Sequence, residues 1–215
     1  MNAERQSIPE VSLIETMRLD EGRIVRRDRH LARARTSADA LGLQWKQAPV
    51  DAALDGAVGT RPGGVWRLRL LVSASGDPVV ECAAFMHDRD RVWRVAVAAE
   101  PVSSGDLFLR HKTTHREIYN RARAARPDGD DVLLVNERGE ITESTIANVV
   151  AEIDGVRVTP PAACGLLPGV FRGALLDAGE IEERVVTRVD LASAKRLWLI
   201  NSLREWIPAA LLGQI

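Results

Sequence analysis

Apolar residues interspersed with polar ones over VSLIETMRL (residues 11–19) predict a strand, and DEG (20–22) turns it toward RIVRR. Between Asp28 and Leu43 the period lengthens. Leu31, Ala34, Ala38 and Leu41 recur at helical spacing, and Gly42 stands where a C-terminal stop belongs. VDAALDGAV (50–58) is a shorter helical candidate closed by GTRPGG. VWRLRLLV (65–72) alternates apolar with basic residues and, across SASGDP, faces VVECAAF (79–85) as a hairpin; VWRVAVAA (92–99) adds another strand.

EPVSSGD (100–106), polar and carrying Pro101 and Gly105, predicts a linker. After it come a helix over 114–125, strands over 130–136 and 141–153 (the latter broken by a polar patch), and VRVTP beyond the Asp154-Gly155 turn. A helix over 170–179 and strands over 182–188 and 196–202 complete the pattern. Strands and helices mixed without strict alternation predict an α+β fold in two units, residues 1–103 and 104–215.

Composition narrows the class. With 215 residues, 46% of them hydrophobic and 27% charged, the chain can bury a core without cross-links. Its formal net charge of -1 provides no field to recruit nucleic acid or an anionic membrane. Cys82 and Cys164 lack the spacing of a zinc or redox site and read as small hydrophobes; no metal site is expected. MNAERQSIPEVSLIE lacks the apolar core of a signal peptide, and no run is long enough to span a bilayer, so a cytoplasmic protein is expected.

The lysines change the picture. Lys46, Lys112 and Lys195 are the only lysines among 29 basic residues. A desolvated lysine loses its proton and forms Schiff bases, which arginine cannot do. Lys46 and Lys195 read as solvated surface residues. Lys112 falls between the linker and a helix, where a side chain can face a cleft between units. Glu143 and Asn148 interrupt a strand, LLPG leads into a helix whose N–H groups can hold phosphate, and Arg33 lies one turn beyond His30. Together these are an amine, an acid, and a phosphate cup with an arginine, the parts of a pyridoxal phosphate site.

In order and wording, ETMR (15–18), RHLAR (29–33), HKTTHR (111–116), EITESTIANVV (140–150), GLLPGVFR (165–172) and NSLR (201–204) resemble the class IV pyridoxal phosphate enzymes of fold type IV. That family includes branched-chain and D-amino acid aminotransferases and aminodeoxychorismate lyase. The resemblance runs from about residue 12 to residue 209, and HKTTHR and NSLREW are most similar to the lyase branch. It implies a two-domain fold like that of D-amino acid aminotransferase, with a shortened N-terminal domain.

The resemblance also implies residue roles. Lys112 matches the lysine that forms the Schiff base, Glu143 the carboxylate on the pyridine nitrogen, and Arg33 the arginine on the phosphate. Val170 and Phe171, after Pro168 and Gly169, match the turn whose amides bind phosphate; Leu167 matches the leucine packed on the ring, and Asn148 belongs to the same set. Aminotransferases often carry threonine where this chain has Phe171. They also often carry tyrosine where it has Glu117, with Tyr119 out of register. For the substrate the expected residues are Arg204, Asn201 and Ser202, with Thr16 and Arg18 on a strand facing the same cleft. The implied reaction is elimination of pyruvate from 4-amino-4-deoxychorismate, a small anion, to give 4-aminobenzoate for folate synthesis. The alternative is an aminotransferase acting on branched-chain or D-amino acids. A homodimer and a functional link to aminodeoxychorismate synthase are further expectations.

Overall fold

The structure is a computed structural model in which residues 11–213 are described; the reading of MNAERQSIPE at the extreme N-terminus lies outside them. The chain opens with β1 (Leu13–Asp20), turns tightly into β2 (Arg23–Ile24), and continues through α1 (Arg27–Leu41), α2 (Gln47–Gly59), β3 (Val65–Val72) and β4 (Pro78–Ala84). These strands form one sheet in the order β2-β1-β3-β4. Leu13, Met17 and Leu19 of β1 and Leu68, Leu70 and Val72 of β3 point to one face, where Leu31, Ala38 and Leu41 of α1 and Val50 and Leu54 of α2 cover them. Period 2 in the strands meets period 3.6 in the helices, so each element buries one face. Gly42 ends α1 in the left-handed conformation at φ 67°, returning its N–H to the Ala38 and Asp39 carbonyls.

The second unit starts at β5 (Trp93–Val97) and runs through α3 (Leu107–Arg110), α4 (Glu117–Ala125), β6 (Asp131–Val135), β7 (Ile141–Ser144), β8 (Asn148–Ile153) and β9 (Val156–Thr159). It ends with α5 (Val170–Asp177), β10 (Glu182–Glu183), α6 (Arg188–Ser193), β11 (Arg196–Asn201) and β12 (Glu205–Leu211). The sheet order is β10-β9-β8-β11-β12-β5-β6-β7, and β7 also pairs with β8, which closes the strands from β8 round to β7 into a ring. Val95, Leu133, Ile141, Val149, Leu199 and Ile207 fill its interior. Mixed strands and helices segregated around two sheets make this an α+β molecule of the expected two-part type.

Three local expectations change. β5 hydrogen-bonds to β12 and β6, so the change of sheet falls between Ala84 and Trp93 rather than at residues 100–106. The run 141–153 is a hairpin, β7 and β8, rather than one interrupted strand. Residues 182–188 contribute only the short β10, because Thr187 caps α6 through a reciprocal bond pair with Asp190. Arg204 sits in the turn from β11 to β12. Among the described residues no helix is long and apolar enough to cross a membrane.

Candidate functional site

A cavity of about 460 Å³ lies where the uncovered face of the first sheet meets the rim of the ring, a size typical of small-molecule sites. Lys112 reaches it from the segment between α3 and α4. That segment is pinned to β1: the Ile14 N–H donates to the Lys112 carbonyl at 2.8 Å and the Thr114 N–H to the Ser12 carbonyl at 2.9 Å. Burial, then the charges of Arg33 and Arg116, lower the Lys112 ammonium to about 8. Lys46 and Lys195 instead sit on the surface beside Asp77 and Glu152.

Glu143, on β7, is only 4% exposed and faces the same cavity. Its Oε1 accepts the Tyr119 hydroxyl at 2.8 Å and the Leu167 N–H at 3.0 Å, and the Asn148 amide donates to Oε2 at 3.4 Å. Burial outweighs these donors and raises the carboxyl to about 7. Such a site favours a cationic partner, because a charge facing it would offset the desolvation. Asn148 also donates to the Leu167 carbonyl at 2.8 Å and so ties the hairpin to the 165–169 loop. Tyr119, set aside along the sequence as out of register, is therefore part of the site. α4 begins only at Glu117, so Tyr119 falls in its first turn and points at the hairpin.

The anion-binding end is formed by Arg33, Gly169 and Val170, all lining the cavity. Among the described residues no side chain caps α5 at Gly169, so its first N–H groups can receive an anion. Gly169 is required by close packing: a Cβ there would lie 2.0 Å from the Asn148 amide oxygen. Arg33 is held by Glu15 through bonds of 2.8 and 2.6 Å and donates to the Pro168 carbonyl at 3.3 Å. The Phe171 ring does not line the cavity. It packs with Val150, Leu175 and Ile200, edge-on to Trp206, which leaves only its backbone N–H for the anion.

The opposite wall is basic. Arg204 lines it, with its guanidinium 5.3 Å from the Phe85 ring and 5.4 Å from that of Trp93, as cation–π contacts hold arginine. Arg67 and Arg69 line the same wall and were not singled out as site residues, although the alternation of VWRLRLLV was the signal. Thr16 lies opposite Arg69 in the register of β1 and β3 and also lines the cavity. Arg18 is not among the lining residues; its guanidinium is bound to Asp20 at 2.8–2.9 Å. Asn201 borders the cavity, but its side-chain Oδ1 accepts the Leu203 and Arg204 N–H groups, so it shapes the turn. Ser202 borders it too, with its hydroxyl 2.7 Å from His30 Nε2.

This geometry belongs to a family. Residues 12–212 match the model of the class IV amino-transferases, and the chain is a member of that family. A Schizosaccharomyces pombe protein provisionally named aminodeoxychorismate lyase is 30% identical over 95% of this chain and 91% of its own length. A Mesorhizobium loti crystal structure provisionally named an amino-acid aminotransferase is 42% identical, with a TM-score of 0.89 over 94% of this chain and all of that one. A hypothetical aminotransferase from Mycobacterium tuberculosis in its PLP-bound form shares the fold, with a TM-score of 0.80 at 23% identity over 94% of this chain and 82% of that one. The family depends on pyridoxal 5′-phosphate. The residues present fit that cofactor: a lysine of lowered proton affinity, a buried carboxylate favouring a cationic partner, and an uncapped helix start beside an arginine share one cavity.

Proposed function

We propose that this protein is a 4-amino-4-deoxychorismate lyase. The observation that carries the reading is the basic wall: Arg67, Arg69 and Arg204 border a cavity whose other end suits a phosphate, so the space between favours a substrate bearing more than one carboxylate. The 30% identity to the fission-yeast protein of that name supports it. A class IV aminotransferase acting on branched-chain or D-amino acids is the second reading, favoured by the name of the Mesorhizobium relative.

In this reading Arg33 and the N–H groups of Val170 and Phe171 would hold the phosphate, Leu167 would flank the ring and Glu143 would receive the pyridine nitrogen. Bound pyridoxal phosphate supplies an electrophilic carbonyl and an electron-withdrawing ring. Tyr119, Asn148 and the Leu167 N–H fix the Glu143 carboxylate. Lys112, lowered to about 8, is basic enough near neutrality to take the substrate's C4 proton. As the C3–O bond breaks, Lys112 returns a proton to the departing enolpyruvate, which becomes pyruvate while the ring becomes aromatic. Arg204, with Arg67, orients the carboxylates, and Thr16 completes the wall. A homodimer in the cytoplasm, supplied by aminodeoxychorismate synthase, belongs to the same proposal and rests on the family resemblance.

The test follows 4-aminobenzoate and pyruvate from enzymatically generated aminodeoxychorismate without an amino acceptor. Equimolar products support the lyase. Turnover only of an amino acid with a keto acid supports the aminotransferase.

A further inference from the structure

A chain of buried polar groups links Arg33 at the anion-binding end to Ser202, and its two middle members, Glu15 and His30, have no role in the reaction outlined above. Glu15 on β1, His30 on α1 and Ser202 at the end of β11 are 2%, 0% and 7% exposed. Glu15 Oε2 is 2.7 Å from His30 Nδ1, and His30 Nε2 is 2.7 Å from the Ser202 hydroxyl. Glu15 also holds Arg33 by both of its oxygens. The chain therefore joins two cavity-lining groups, Arg33 and Ser202, through one carboxylate and one imidazole.

Proton counting sets what Ser202 can offer. Burial alone would raise the Glu15 carboxyl, but the Arg33 charge and the His30 bond hold it at about 2, so it is an acceptor only. His30 must then carry its proton on Nδ1. Burial lowers the imidazole's proton affinity, opposed by Glu15 and reinforced by Arg33 and Lys112, so the free protein favours neutral His30. A neutral imidazole with Nδ1–H has a bare Nε2, which takes the Ser202 hydroxyl proton. Ser202 then presents only lone pairs to the cavity, which repel a phosphate. If His30 gains a second proton, Nε2–H donates to the Ser202 oxygen and the hydroxyl proton turns free to bind an anion.

We infer that Glu15 and His30 are positioning residues that couple phosphate binding to proton uptake: a dianion in the cup is accompanied by protonation of His30 and converts Ser202 from acceptor to donor. The groups facing the imidazole are Glu15 from β1, Arg33 on its own helix, Lys112 from the pinned segment and the Ser202 hydroxyl from β11. The incoming dianion offsets the positive charges among them, which is what permits the extra proton. The inference rests on the assignment of the phosphate cup made above.

The test is nitrogen NMR of histidine-labelled protein at pH 8, free and saturated with pyridoxine 5′-phosphate, which has the phosphate but no aldehyde to engage Lys112. His30→Gln assigns the signals. His30 Nε2 is expected to be unprotonated in the free protein and protonated in the complex, with Ser202→Ala weakening binding about tenfold. An Nε2 protonated before ligand is added, or still bare at saturation, overturns the coupling while leaving the cup intact. Absence of binding, with no cofactor retained by the wild type, overturns the cup and the coupling together.

Discussion

Lys112 and Glu143 are costly to the protein that carries them. Glu143 is raised from 4.5 to about 7, so its burial penalty is absent below pH 4.5 and fully present above pH 7. That shift corresponds to about 3 kcal/mol. Glu143→Gln is therefore expected to raise the melting temperature of cofactor-free protein at pH 8 but not at pH 4.5, while weakening cofactor binding; thermal unfolding at the two pH values checks it. Glu15 behaves oppositely. Its carboxyl is lowered from 4.5 to about 2, so its contribution, also about 3 kcal/mol, is present above pH 4.5 and lost as pH falls through 2. Glu15→Gln should flatten the acid limb of the stability curve between those values, read by denaturant unfolding across pH. Lys112 stood out because lysine is so scarce in this chain, whereas Glu143, a carboxylate interrupting a strand pattern, took its expected role only from the family resemblance. Tyr119 was not legible, since counting residues from Lys112 ignores that the intervening segment is pinned to β1 rather than helical. For Arg18, strand alternation gives a face but not the Asp20 two residues away that binds its guanidinium.

Strands and helices with one strong period were readable, and those with competing signals were not. β1, α1 and the β3–β4 hairpin follow their patterns closely. β12 escaped because Pro208 sits within EWIPAAL, and proline argues against a central strand. It is tolerated there because pairing with β5 begins only at Ala209. α6 was masked by the β-branched residues before its Thr187 cap. The turns matter most for the site. Arg26 and Glu205 both have positive φ, 58° and 61°, and their 2.7 Å ion pair ties the start of α1 to the turn that carries Ser202 and Arg204. At the other end, Gly169→Ala would drive a Cβ into Asn148 and displace the partner of Leu167 and Glu143. Cofactor affinity is expected to fall at least tenfold, with secondary structure unchanged by circular dichroism.

As a whole the molecule sets an uncovered, arginine-bearing sheet face against the rim of a closed ring, and the chemistry lies between them. Composition could not reveal this, because a net charge of -1 averages away a strongly basic wall. If that wall recognises carboxylates, Arg67→Gln and Arg204→Gln should each raise KM about tenfold, or ~1.4 kcal/mol, with little change in kcat, and raise the Ki of dicarboxylate inhibitors more than that of monocarboxylates. Steady-state kinetics with paired inhibitors checks this, and equal effects on both inhibitor classes would count against recognition of a second carboxylate.

The measurement that bears most directly on the lyase reading is product formation from aminodeoxychorismate by the cofactor-loaded protein, wild type beside Lys112→Ala, with no keto acid present. The account predicts equimolar 4-aminobenzoate and pyruvate from the wild type alone, and an absorption band near roughly 410 to 430 nm that Lys112→Ala lacks. A wild type that shows the band but releases no pyruvate, and turns over only when given an amino acid and a keto acid, would contradict it.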